Sequence, residues 1–273
     1  MTRLVHLTDL HFGLERADLI DPLREALTVC LPDFVAVSGD LTHRARHGQF
    51  QRAMTFLHGL GLPFLVIPGN HDVPLINLAA RLFAPFRSYR AGASPDLAPF
   101  AEVGPLRLYG TNTADPWRWR RGRLRRAEID RILQAARTSP PEAINILVCH
   151  HPLEEPPGFD RGETRGARAA LPALAEAGIR IVLSGHLHHW SIGLGIGLDR
   201  PRPLFQMQCG TALCARAGES DHGFAVLDVE GPHLSVTPWI HAPATNAFAP
   251  RPAQAFTFRD GLWHSDTKAS PAG

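Results

Sequence analysis

Apolar and polar positions along this chain fall into two periods. Short, β-branched-rich runs bounded by Gly, Pro or polar residues recur as "LVHLTDLH", "FVAVSGD", "FLVIPGNHD", "INILVCHH" and "IRIVLSGHLHH". Each predicts a buried strand. Between and after them, the apolar spacing predicts amphipathic helices at 20–30, 47–60, 75–83 and 126–137. Asp21 and Pro22 suit the start of the first helix, and Gly61 and Pro63 stop the second. "LRLYG" (106–110) predicts a further strand, and the Gly- and Pro-rich stretch 152–166 a loop. In the last third, "PLFQMQC", "HGFAVLDV" and "HLSVTPW" predict consecutive antiparallel strands. Beyond His241 the pattern weakens, leaving one strand at 254–258 and a frayed tail. Alternating strands and helices followed by a meander predict an α/β (α+β) fold of two sheets packed face to face, helices outside. No repeat or composition break marks a linker. The expected organisation is one domain over 1–241 and a partly irregular C-terminal extension, 242–273.

The five apolar runs share a second feature: each ends in side chains that bind metals. They are Asp9 and His11, Asp40, then Asn70, His71 and Asp72, then His150 and His151, and finally His186, His188 and His189. A strand end can hand side chains to a shared crevice while the sheet keeps them rigid. Asp9/His11 and His186/His188 are i, i+2 pairs, which extended backbone would project to one face. Gly39, Gly69 and Gly185 directly precede Asp40, Asn70 and His186, where a crowded centre needs close backbone approach. Carboxylate, imidazole and amide without thiolate favour Zn, Mn or Fe over copper(I) or iron–sulfur clusters. A metal-centred hydrolytic site is the expectation. His6, inside the first strand, reads as a core histidine, His43, His47 and His58 as surface or helix residues, and Asp72 as a structural turn residue.

Composition narrows the setting. The chain has 273 residues, 44% hydrophobic and 20% charged, enough for a core without disulfides. A net charge of +2 does not by itself point to a polyanionic partner. Cys30, Cys149, Cys209 and Cys214 form no C-x-x-C pair, and Cys30 and Cys149 lie in apolar runs. The first strand begins at Arg3, no run reaches the length of a membrane helix, and a cytoplasmic, reduced protein is expected. One local charge run stands out, "WRWRRGRLRR" at 117–126. It reads either as a Trp-bearing basic patch for a nucleotide, nucleic acid or anionic headgroup, or as the solvated entrance to the 126–137 helix.

Taken in order, "D-x-H", "GD", "GNHD", "HHP" and "GHLH" resemble the signature of the calcineurin-like metallophosphoesterase family. The similarity is greatest to bacterial class III cyclic nucleotide phosphodiesterases and spans Leu4 to about His241. The resemblance implies a four-layer αββα sandwich of two mixed sheets carrying two metal ions (Fe, Mn or Zn). It implies Asp9, His11 and His188 around the first ion, Asn70, His150 and His186 around the second, and Asp40 bridging. His150 is preferred to His151 because the family's ligand is the first residue of "HHP". His71 would meet the substrate as the catalytic side chain. Two ions about 3.5–4 Å apart would share a bridging hydroxide, the expected nucleophile on phosphorus. The second set carries a neutral amide where the first has Asp9, so its ion is expected to bind more weakly. The partner implied is a small phosphodiester such as a 3′,5′-cyclic nucleotide. The alternatives are a phosphomonoesterase, a nucleotide pyrophosphate hydrolase, a nuclease (nucleic acid is not the favoured partner) or, from another class, a non-catalytic binding module.

Overall fold

The computed structural model describes residues 1–156, 159, 164–193, 203–219 and 221–266. Part of the predicted 152–166 loop and the predicted frayed tail lie outside them. Strands β1 (Thr2–Leu7), β2 (Phe34–Val37) and β3 (Phe64–Val66) run parallel in a first sheet. Helices α1 (Ile20–Cys30) and α2 (His47–His58) form the crossovers, and α3 (Leu78–Phe83) and α4 (Arg87–Gly92) follow β3. The chain then builds a second sheet from β4 (Phe100–Val103), β5 (Leu106–Gly110), β6 (Ile144–Val148), β7 (Ile179–Ser184), β8 (Ser191–Gly193) and β9 (Phe205–Gln208). Its order is β4-β5-β6-β7-β9-β8, with β5, β6, β7 and β9 parallel. Helices α5 (Arg126–Arg137) and α6 (Ala167–Glu176) connect these strands. The chain returns to the first sheet with β10 (Gly223–Glu230), β11 (His233–Ala242), β12 (Ala247–Pro250), β13 (Gln254–Arg259) and β14 (Leu262–Ser265). That sheet reads β14-β13-β11-β10-β1-β2-β3, with β12 paired to β11.

Three buried clusters separate four layers. Val5, Leu7, Val35 and Val37 pack on Leu23 and Leu27 of α1 and Phe50 and Leu57 of α2. The alternate residues Leu4, Ala36 and Leu65 face Ile146, Val148, Ile181 and Leu183 of the second sheet. The outer face of that sheet, with Leu147 and Val182, meets Ile132 of α5 and Leu174 of α6. The result is the expected αββα sandwich of two mixed sheets. Covering both faces explains why the parallel strands read as unbroken apolar runs and not as alternating ones. His6 follows the parity of Leu4 and is fully buried between the sheets, with Nε2 2.8 Å from Ser38 Oγ and Nδ1 3.2 Å from Cys209 Sγ. Burial lowers its pKa to about 3, so it is a neutral core histidine.

The structure departs from the predicted elements in several places: α4, β4 and β8 have no predicted counterpart, and three further differences concern topology or sequence signal. "PLFQMQC" forms β9, which joins the second sheet parallel to β7 and is not a neighbour of β10. Helix α6 has no counterpart in the predicted elements, because Pro172 interrupts its Ala-rich sequence. Beyond His241, β12, β13 and β14 all pair into the first sheet where a single strand was expected. All four cysteines are free and buried. Among the described residues, no helix is long and apolar enough to cross a membrane.

Candidate metal centre

Every predicted ligand sits just beyond the C-terminal end of a parallel strand. Asp9 and His11 follow β1, Asp40 follows β2 and Asn70 follows β3, while His150 follows β6 and His186 and His188 follow β7. The two sheets therefore bring their parallel strand ends to one rim, the usual place for a site in such sheets. All seven side chains are buried or nearly so.

Distances divide them into two sets that share one carboxylate. His188 Nε2 lies 3.1 Å from Asp9 Oδ1 and 3.1 Å from His11 Nε2. His11 Nε2 is in turn 3.5 Å from Asp40 Oδ2. On the other side, His150 Nε2 lies 3.4 Å from Asp40 Oδ1 and 3.1 Å from Asn70 Oδ1. The His150 and His186 rings are 5.2 Å apart. The two oxygens of Asp40 thus face the two sets separately.

The i, i+2 pairs do converge, but not through extended backbone. Asp9, His11, Asp40, His186 and His188 all have left-handed backbone, with φ of 54°, 48°, 52°, 73° and 53°. Non-glycine residues seldom adopt it, and such residues cluster at functional sites. The intervening Leu10 and Leu187 are buried, which anchors each turn. Gly69 and Gly185 allow the close approach: a Cβ on Gly69 would overlap Asp40, and one on Gly185 would overlap Thr8 and crowd Asp9.

The polar partners around the centre fix which atoms face inward. His150 Nδ1 donates to Ser38 O at 2.9 Å, so its Nε2 presents a lone pair to two acceptor oxygens. His188 Nδ1 is 2.6 Å from Glu219 Oε1, a group that only accepts, so its Nε2 also points a lone pair at Asp9. Thr8 Oγ donates to Asp9 Oδ2 at 2.6 Å and the His186 N–H does so at 3.0 Å, leaving Oδ1 for the centre. Carboxylate, amide and imidazole atoms converging on one place, with the outer nitrogens of His150 and His188 anchored elsewhere, are what a cation requires, and the residues fit a metal on that ground.

The charge balance tells the same story. Burial works against ionised Asp9 and Asp40, yet the surrounding imidazoles, His188 and His11 for one and His150 and His71 for the other, hold both well below the usual carboxylate range. Burial likewise opposes charge on His150 and His188, but the carboxylates raise them to about 9 and about 10. In the metal-free chain, protons occupy positions suited to cations.

His71 lies beside the centre. Its backbone N–H donates to Asp40 Oδ1 at 2.8 Å, its Nδ1 lies 3.0 Å from His43 O, and its ring meets that of His11 edge-on at 4.8 Å. Asp72 is structural, as expected: it accepts from Leu41 N, Thr42 N, Thr42 Oγ and Gly69 N, tying the two loops together.

Three further residues belong here. His43, expected as a surface or helix residue, stacks its ring on His71 at 5.4 Å and 21°. Glu219 orients His188 from a loop 31 residues away, and nothing in the sequence marks it. His151 hydrogen-bonds Thr113 through Nδ1 at 2.9 Å and braces His186, their rings 4.4 Å apart. The "HH" of the fourth run was the only signal for His151.

The Arg-rich segment lies alongside. Gly122 packs directly on His151, while Trp117 and Trp119 are exposed. Buried Arg81 lies under Trp119 and donates to Pro116 O, Pro74 O and Arg118 O, tying the segment to the start of α3. Arg125 is taken up internally by Asn112 O and Ala114 O.

Four layers with carboxylate, amide and imidazole donors gathered at one rim define the metallophosphoesterase class of fold. The sequence profile described as calcineurin-like phosphoesterase matches residues 2–190, and the chain belongs to that family. A "probable cyclic nucleotide phosphodiesterase" of Synechococcus sp. is 28% identical over 226 residues, covering 75% of this chain and 81% of its own. A "cAMP/cGMP dual specificity phosphodiesterase" of Mycobacterium tuberculosis is 24% identical over 216 residues, covering 71% of this chain and 64% of its own, just under two thirds. Among solved structures, the purple acid phosphatase PPD1 of yellow lupin superimposes with a TM-score of 0.66 at 13% identity. That match covers 91% of this chain and 52% of the lupin chain. Chaetomium thermophilum Vps29 gives a TM-score of 0.51 at 14% identity over 94% of this chain and 99% of its own. At such identities the two structures speak for the fold alone.

Proposed function

We propose that this chain is a metal-dependent phosphodiesterase with two ions, acting on a small diester such as a 3′,5′-cyclic nucleotide. The observation that carries this reading is the pair of acceptor sets, Asp9/His11/His188 and Asn70/His150/His186, joined through the two oxygens of Asp40. Two divalent ions held there supply Lewis acidity toward phosphoryl oxygens and make water a competent nucleophile at neutral pH.

The chain's own groups do the rest. Glu219 and Ser38 O fix the tautomers of His188 and His150, so that each presents Nε2 to the centre. His43 O does the same for His71, whose Nε2 is then available to hold a proton for the departing oxygen. The buried walls, with Leu10 and Leu187 beneath the ligand turns, keep bulk water from the ligands. The diester preference and the cyclic-nucleotide guess rest on the names of the two curated relatives. A non-catalytic binding module of the same fold is the alternative of another class; all seven donors being present favours the enzyme.

The decisive experiment is hydrolysis of a chromogenic phosphodiester and of cyclic AMP by the wild type, Asp40→Ala and Asn70→Ala, with metal analysis of each. Activity of at least a hundredfold over both variants is expected. Undiminished turnover by Asp40→Ala would sink the reading.

A further inference from the structure

Beside the metal centre lies a cleft of about 400 Å³ that the reaction described above does not use. One wall is Arg44 and Arg46, on the loop between β2 and α2; the other is Pro74, Leu75 and Ile76, ahead of α3. Both walls continue the segments that carry the site. Arg44 directly follows His43, Pro74 stands three residues after His71, and the His43 and His71 rings stack at 5.4 Å. The cleft is therefore built on the same two loops that carry His43 and His71.

Its charge is one-sided. No acidic residue lines it, and neither Arg44 nor Arg46 makes an ion pair among the described residues. Some half-buried arginines of this chain are paired with carboxylates, Arg3 with Asp228, Arg107 with Glu102 and Arg131 with Glu128, and Arg125 is taken up by backbone oxygens. Arg44 is equally half-buried and has no such match. Two guanidinium groups without an ion pair beside a small apolar wall form a recognition surface for a phosphate group on an organic frame.

We propose that this cleft is an anion subsite, in which Arg44 and Arg46 hold a second phosphate group of the substrate, attached beyond the ester oxygen on the His71 side. The inference rests on the phosphoesterase reading of the metal centre. It narrows the substrate class to small diesters that carry a further phosphate, the frame between the two phosphates lying against Pro74, Leu75 and Ile76.

The test compares product-like ligands that differ only in the second phosphate. Titration calorimetry of the full chain with AMP and with adenosine 3′,5′-bisphosphate is expected to give about tenfold or tighter binding of the bisphosphate. The double substitution Arg44→Ala/Arg46→Ala should bring the two ligands to parity and leave AMP affinity within about twofold. Equal binding of both ligands by the wild type overturns the subsite, as does a double variant that weakens both alike. The chromogenic assay separates the two claims. An active enzyme without bisphosphate preference removes the subsite alone, whereas an inactive wild type that keeps the preference removes the proposed reaction alone.

Discussion

Glu219 illustrates what a single side chain contributes at this centre. Its carboxylate accepts a hydrogen bond from His188 Nδ1–H and so decides which nitrogen faces Asp9 and His11. Glu219→Ala should therefore weaken metal binding about 10–100-fold while leaving the fold intact, read by competition with a chromogenic chelator. An unchanged metal affinity would mean that His188 is oriented by something else. Protons are coupled to the same groups. His150 and His188, raised to about 9 and about 10 in the metal-free chain, stabilise it fully below the ordinary imidazole value near 6.5. That stabilisation is lost as pH rises through those folded values. Thermal unfolding of chelator-treated protein should accordingly show a lower midpoint at pH 10 than at pH 6. Metal uptake at pH 7.5 should release about two protons, measured from the buffer dependence of the binding enthalpy. The five run ends bring Asp9, His11, Asp40, Asn70, His71, His150, His186 and His188 to notice in the sequence, and only the family resemblance singles them out from Asp72, His151 and His189 beside them. Glu219 and His43 could not be found in this way, since their importance comes from neighbours that only the folded chain supplies.

At the level of elements, strands are what the apolar runs reveal, and the turns beyond them are what they conceal. The expected i, i+2 projection assumed that strand geometry continues through Asp9–His11 and His186–His188. The strands instead stop at Leu7 and Ser184, and left-handed residues make the turns. The same contacts make glycine obligatory. A methyl group at position 69 would meet both the carboxylate and the backbone nitrogen of Asp40, which lies between the two acceptor sets. Gly69→Ala should cost about 1–3 kcal/mol in chemical denaturation and lower the content of both ions together. Loss of one ion with retention of the other would contradict the bridging place of Asp40. Assignment of β9 to a sheet was beyond the sequence for a related reason. A short buried strand reads alike in either sheet, and only its parallel partner β7 distinguishes them.

Across the whole molecule, the centre joins two sheets whose interface is otherwise largely apolar, with His6–Cys209 and Trp263–Arg180 O as polar contacts across it. Asp9, His11, Asp40 and Asn70 come from the first sheet, and His150, His186 and His188 from the second. The cluster between them, from Leu4 and Ala36 to Ile146 and Leu183, is apolar and resists separation. Ions held as proposed by donors from both sheets would bind the folded chain and not the unfolded one, so their free energy would add to stability by mass action, about 2.7 kcal/mol at a hundred times the dissociation constant. For a chain of 273 residues that corresponds to a rise in melting temperature of roughly 5 °C or more. Manganese should raise the midpoint by that amount over chelator-treated protein, with a single transition in both states. The order of filling is a further consequence. The first set has the Asp9 carboxylate besides its share of Asp40, whereas the second has the neutral Asn70 amide, so a stepwise calorimetric titration should show the second set filling last. In Asn70→Asp the two steps should draw together, because the added carboxylate supplies the charge the second set lacks. If the steps are already equal in the wild type, the carboxylate count is not what separates the two sets.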